Sequence, residues 1–154
     1  MAHSSPAQRF LIAILAFLSA AAAYAAGQGE IAGKAKEPNK VIYHINEGLE
    51  QASNGLRNIR NHLEADPTAK IVVVTHFNGI DFLLEGAKDK NGNPYAATVD
   101  DLTLNGVEFR VCEFTLVGRN IDKSKVHPEA KIVPSGVAEI GRLQSKEGFA
   151  YLKP

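Results

Sequence analysis

Residues 70–76, KIVVVTH, hold an unbroken apolar run from Ile71 to Val74. A strand built on that run needs cover on both faces, as a strand inside a parallel sheet has. Upstream, Leu49, Ala52, Leu56, Ile59 and Leu63 recur at helical spacing, which predicts an amphipathic helix ending before Asp66-Pro67. Before that helix, residues 40–46 (KVIYHIN) form a β-branched and aromatic run, which reads as a strand. Strand, helix and strand make a βαβ unit.

The alternation continues downstream. Ile80, Leu83 and Leu84 sit at helical spacing after Asn78-Gly79, and residues 88–94 (KDKNGNP) read as a surface turn. Tyr95, Val99 and Leu102 predict a further helix, ended by Asn105-Gly106 as a left-handed cap. Residues 107–112 (VEFRVC) form the third strand, followed by a short helix from Glu113 to about Gly118. A fourth strand covers residues 130–133. The last helix starts at Pro134-Ser135, carries Val137, Ile140 and Leu143 and ends at Gly148, before a fifth strand over 149–152. The expected fold is a three-layer α/β/α sandwich with a mostly parallel five-stranded sheet.

Composition narrows the function. The 154 residues carry 17 Lys and Arg against 17 Asp and Glu, a balance that excludes a basic nucleic-acid binder. Arg9, the apolar run Phe10–Leu18 and Ala23-Tyr24-Ala25 have the order of a cleavable signal peptide. We therefore expect a signal peptide over 1–25, a linker over 26–39, and an α/β domain over 40–154. The mature chain is then expected in the periplasm, with no stable membrane span after cleavage.

Polar residues gather where α/β sheets place their sites, at the carboxyl ends of strands. His44 and Asn46 end the first strand, His76 and Asn78 follow the second, and Cys112 ends the third. Cys112 is the only cysteine, so it forms no internal disulfide in an oxidising compartment. It is either buried packing or a working thiol. A helix starting directly after it would favour a thiolate through its unpaired N–H groups. Arg110 or Arg119 would add to that effect and Glu113 would oppose it.

The stretch Gly106-Val107-Glu108-Phe109-Arg110-Val111-Cys112 with Thr115-Leu116, the segment Val133-Pro134-Ser135-Gly136-Val137, Leu143-Gln144, and the ending Gly148-Phe149-Ala150-Tyr151-Leu152-Lys153-Pro154 resemble the DsrE/DsrF-like family, in particular its exported branch. The resemblance covers about Lys40 to Pro154. It implies a small α/β fold assembled into homo-oligomers, trimers or hexamers. It also implies a persulfide on the cysteine that follows a Gly-Val-led strand, the position of Cys112. His76-Phe77-Asn78-Gly79 departs from the His-Gly-Pro-Gly-like turn expected there.

Three function classes follow. In the first, Cys112 is the site of a sulfur carrier and passes sulfane sulfur by thiol exchange. In the second, His44, Asn46, His76 and Asn78 line a strand-end pocket for a small molecule, with Cys112 a packed residue. The third is a zinc or copper site from His44, His76 and Cys112. No Ser/His/Asp order and no Gly-rich phosphate loop is evident, and no cofactor is implied.

Overall fold

The structure is a computed structural model and describes residues 37–154. The signal-peptide and most of the linker expectation lie outside the described residues. Residues Pro38–Pro154 form one compact unit.

Five strands, β1 (Lys40–Ile45), β2 (Lys70–Thr75), β3 (Glu108–Cys112), β4 (Ala130–Val133) and β5 (Ala150–Leu152), form one sheet in the order β4-β3-β2-β1-β5. Every pairing is parallel, so the sheet is wholly rather than mostly parallel. The helices are α1 (Leu49–Ala65), α2 (Tyr95–Leu104), α3 (Glu113–Gly118) and α4 (Gly136–Glu147). From β1 to β4 the chain steps steadily in one direction. The connection through α4 then carries it back across the sheet to place β5 beside β1. The strand order therefore reverses at β1 and β5, a position where α/β sheets open a crevice at their carboxyl ends.

That path makes the two faces unequal. On one face α1, α2 and α3 bury a large cluster around Tyr43, Ile45, Val73, Phe82, Phe109 and Leu116. Phe82 meets both Tyr95 and Phe109 edge to face, the arrangement favoured by aromatic quadrupoles. On the other face the smaller cluster of Ile42, Val72, Val74 and Leu143 packs with Ile140 and Phe149 under α4. The alternation within β2 explains the KIVVVTH run, because Ile71 and Val73 serve the first face while Val72 and Val74 serve the second.

Local signals account for the helix ends. The Ser135 side chain accepts a hydrogen bond from the Ala138 N–H, and Gly148 closes α4 in the left-handed region at φ 72°. Gly106, at φ 86°, follows α2 in the same way. Two expectations are corrected. The segment expected as an α-helix around Ile80 to Leu84 is a 3-10 helix over Phe77–Leu83. Gly79 is pressed so tightly against the end of β1 that an added Cβ would lie 2.0 Å from the Ile45 carbonyl oxygen, and this short connection is wound more tightly than an α-helix. The buried stripe of α1 also differs from the expected one, because Leu49 is exposed while Gln51, Ala52, Gly55, Leu56 and Ile59 are buried.

Candidate functional site

The site is built by register. In parallel pairing His44 stands beside Val74, and Val74 beside Arg110. Tyr151 stands beside Ile42, which stands beside Val72. Side chains alternate along a strand and share a face with their register partners. Tyr151, His44, His76 and Cys112 therefore emerge on the α4 face, one from each of β5, β1, the end of β2 and β3.

Hydrogen bonds link the first three. The Tyr151 hydroxyl lies 2.6 Å from His44 Nδ1, and His44 Nε2 lies 2.7 Å from His76 Nε2. The two imidazole rings are 4.8 Å apart at their centroids. Burial, followed by repulsion from His76, lowers the His44 pKa to about 4. Burial also lowers that of His76. Gln51 fixes the end of β1 from α1: its Oε1 accepts from the N–H groups of Asn46 and Glu47, and its Nε2 donates to the carbonyls of His44 and Pro154.

Gly136, the first residue of α4, joins this row to the thiol. A Cβ there would lie 3.3 Å from Cys112 Cβ and also 3.3 Å from His76 Cβ. With no side chain, Gly136 lets α4 start close against both residues. Burial raises the Cys112 pKa, but the nearby Gly136 N–H, the Thr115 hydroxyl and the N–H groups of Thr115 and Phe114 together outweigh it, so the thiol is held below its ordinary value. The Thr115 oxygen also accepts from the Phe77 N–H at 3.0 Å, which leaves its own hydrogen to point at the sulfur. Cys112 occupies the N-cap position of α3 without a side-chain capping hydrogen bond, and is 6% exposed.

The charged residues considered for the thiol are engaged elsewhere. Arg110 pairs with Glu139 and Glu108, Arg119 with Asp81, and Glu113 with Lys123. The anionic form of Cys112 is thus favoured by aimed dipoles and not by a neighbouring cation. Phe77 adopts φ 51°, a region costly for a residue with a Cβ. Its backbone is fixed there by the Thr115 contact and by Arg119, which donates to the Phe77 carbonyl at 3.1 Å. On the segments that start at this end of the sheet, Phe77 after β2, Phe114 and Val117 on α3 and Val137 on α4 are 62%, 69%, 70% and 65% exposed.

Of the residues expected at the site, His44 and His76 meet directly, and Cys112 stands beside His76. Asn46 is partly buried with its Oδ1 unpaired. Asn78 is exposed in the 3-10 helix, with its Cβ near Gly48. Among the described residues no group of three His, Cys, Asp or Glu side chains could hold a metal ion, so the geometry gives the His44, His76 and Cys112 metal reading no support. A cavity of about 570 Å³ runs along Lys40, Lys70, Glu108, Arg110 and Lys146, toward the amino ends of the strands. The sequence reading missed Tyr151, Thr115 and Gly136 as site residues. Only Thr115 carried a local signal, lying three positions after the cysteine, whereas Tyr151 and Gly136 come to the site through the fold.

Comparison with known proteins agrees with this architecture. A structure from Methanobacterium thermoautotrophicum, described as a protein of unknown function, MTH1491, is 29% identical with a TM-score of 0.66, covering 75% of this chain and 99% of that one. The crystal structure of the ychN protein from E. coli is 17% identical with a TM-score of 0.61, covering 76% of this chain and 98% of that one, and shares the fold. No curated protein matches the chain. The model of the DsrE/DsrF-like family matches residues 15–154, and the chain belongs to that family, which is generally linked to sulfur relay.

Proposed function

We propose that the chain is a sulfur carrier that holds sulfane sulfur on Cys112 as a persulfide. The observation that carries this reading is the place of Cys112, at the end of β3 and the start of α3 with Gly136 packed against it, where nearby N–H groups and the Thr115 hydroxyl hold its thiol below the ordinary value. The thiolate they favour is the nucleophilic form of cysteine. It attacks the outer sulfur of a persulfide or polysulfide donor, the donor S–S bond breaks, and the donor leaves as a thiolate that takes up a proton. Cys112 then carries the terminal sulfur until an acceptor thiolate attacks it in the same way. No electrons are gained or lost overall.

The low exposure of Cys112 favours small or slender donors. The four exposed apolar side chains on the segments that follow β2, β3 and β4 support self-association or partner docking at this end of the sheet. Assembly into a homo-oligomer and action outside the cytoplasm complete the proposal, supported by the family membership and by the order of Arg9, the apolar run and Ala23-Tyr24-Ala25.

Incubation with sodium tetrasulfide and mass spectrometry test the reading. One or more added sulfur atoms, removable by a reductant and lost in Cys112→Ser, are expected. A wild-type protein that stays unmodified while a control thiol protein is loaded overturns the carrier reading and promotes binding at the strand ends with an inert cysteine.

A further inference from the structure

Tyr151, His44 and His76 form a hydrogen-bonded chain whose parts come from three strands, and none of the steps above uses it. Two imidazole nitrogens at 2.7 Å share a single proton, because one must donate and the other accept. This leaves two arrangements of the chain. In one, His76 Nε2–H donates to His44 Nε2, and His44 Nδ1–H donates to the Tyr151 oxygen. In the other, Tyr151 donates to His44 Nδ1, and His44 Nε2–H donates to His76 Nε2. Passing between them moves one proton along the chain while every ring stays neutral.

The ends of the chain face different surroundings. Tyr151 lies on an edge strand and is 40% exposed, whereas His44 is 9% exposed. At the other end, His76 Nδ1 makes no hydrogen bond with a described residue, and the neighbour of His76 along the row is Cys112, with Gly136 packed against the Cβ atoms of both.

We propose that Tyr151, His44 and His76 are a proton conduit between Cys112 and solvent at the β1 and β5 edge. The proposal rests on the sulfur-carrier reading for its purpose and on the hydrogen-bonded geometry for its existence. When Cys112 loses its proton, a water between the thiol and His76 takes it and gives one to His76 Nδ1, His76 Nε2–H passes to His44 Nε2, His44 Nδ1–H passes to the Tyr151 oxygen, and the original Tyr151 proton leaves to water. The reverse sequence delivers a proton to the thiolate that departs from the donor. One proton enters and one leaves in each direction, with no change in oxidation state.

The surroundings suit a neutral conduit. Burial disfavours the charged form of both rings, and repulsion from Lys153 adds to this. The opposing influence of Glu47 on His44 is the weakest of the contributions, and Glu47 is itself paired with Lys153. From α1 the contact on His44 is the uncharged Gln51 amide, and α4 presents Gly136 to His76.

The test uses the full-length chain with nitrogen-15 histidine. In wild type, the His76 ring nitrogen shifts should follow the Cys112 thiol titration, and Cys112→Ser should abolish that inflection. Tyr151→Phe and His44→Gln should slow loading by tetrasulfide at least about tenfold and alter the shape of its rate against pH. The final extent of loading should be unchanged, as should the melting temperature of Tyr151→Phe. Equal rates and pH profiles in wild type and both variants overturn the conduit and leave the carrier reading standing. A wild type that takes up no sulfur but shows the coupled titration overturns the carrier reading alone. A His76 ring blind to the thiol titration overturns the conduit.

Discussion

His44 Nε2 and His76 Nε2 approach to 2.7 Å, a separation at which the two rings cannot both be protonated without strong repulsion. Burial of His44 and the neighbouring His76 together lower its pKa to about 4, against about 6.5 in an unfolded chain. The unfolded state therefore binds more protons between those values, so the His44 contribution is fully present above about pH 6.5 and is lost as pH falls toward about 4. The urea midpoint should decline from pH 7 to pH 5. His44→Gln, which keeps hydrogen-bonding atoms but does not titrate, should flatten that decline; an unchanged slope would show that another group is responsible.

The hydroxyl of Thr115 is the only side-chain donor among the groups that lower the Cys112 pKa. A hydrogen bond to a charged group contributes about 1.5 kcal/mol or more. Thr115→Val should therefore slow iodoacetamide alkylation of Cys112 at pH 7 by about tenfold, while Thr115→Ser should restore most of the rate. If Val and Ser variants react alike, the backbone N–H groups suffice and the hydroxyl is packing.

The sequence made the sheet legible because its strands are short apolar runs separated by recognisable punctuation, and because helix signals such as Ser135 and Gly148 act locally. It also placed His44, His76 and Cys112 at strand ends. Their partners were less legible. Tyr151 joins His44 only because the α4 crossover returns β5 to the side of β1, and Gly136 packs against Cys112 only because α4 starts directly over the end of β3. Both are long-range consequences of topology. The tight path of Phe77–Leu83 was hidden for a similar reason, since periodicity at Ile80, Leu83 and Leu84 reports a buried side and not how the backbone must approach β1.

Gly79 offers a direct check of that approach. A Cβ there would meet Ile45 O at 2.0 Å and Asn46 N at 2.5 Å, both backbone atoms that cannot rotate away. Gly79→Ala must push the 3-10 helix off the end of β1, at a cost of about 2 kcal/mol or more from overpacking. Chemical denaturation should report this loss, and the same shift should slow sulfur loading because Phe77 and His76 begin that segment. A variant as stable as wild type would mean that the two segments are held apart more than the structure indicates.

Under α4, Glu139 receives both Arg110 and Arg142, and its side chain is only 12% exposed. Arg110 is 14% exposed, also pairs with Glu108 at 3.0 Å, and leaves its Nε buried without a partner. The two halves of this network should respond differently to removal. Glu139→Gln leaves the largely buried Arg110 guanidinium with only the more exposed Glu108 as its carboxylate and should cost about 2 kcal/mol, whereas Arg110→Met leaves Glu139 with Arg142 and removes an unsatisfied Nε, so it should cost less than half as much. The pH dependence gives a second readout. Hydrogen bonding from Arg142 leads the effects that hold the Glu139 carboxyl below its ordinary value, with Arg110 adding to it against the opposing effect of burial. Its contribution is therefore present above about pH 4.5, the ordinary range of a glutamate, and is lost as pH falls through the lower folded value. Wild type should lose stability on acidification below that point, and Glu139→Gln should lose less over the same interval. Equal destabilisation by Arg110→Met and Glu139→Gln would show that the β3 to α4 contact depends on the Arg110–Glu139 pair itself and not on an under-compensated guanidinium.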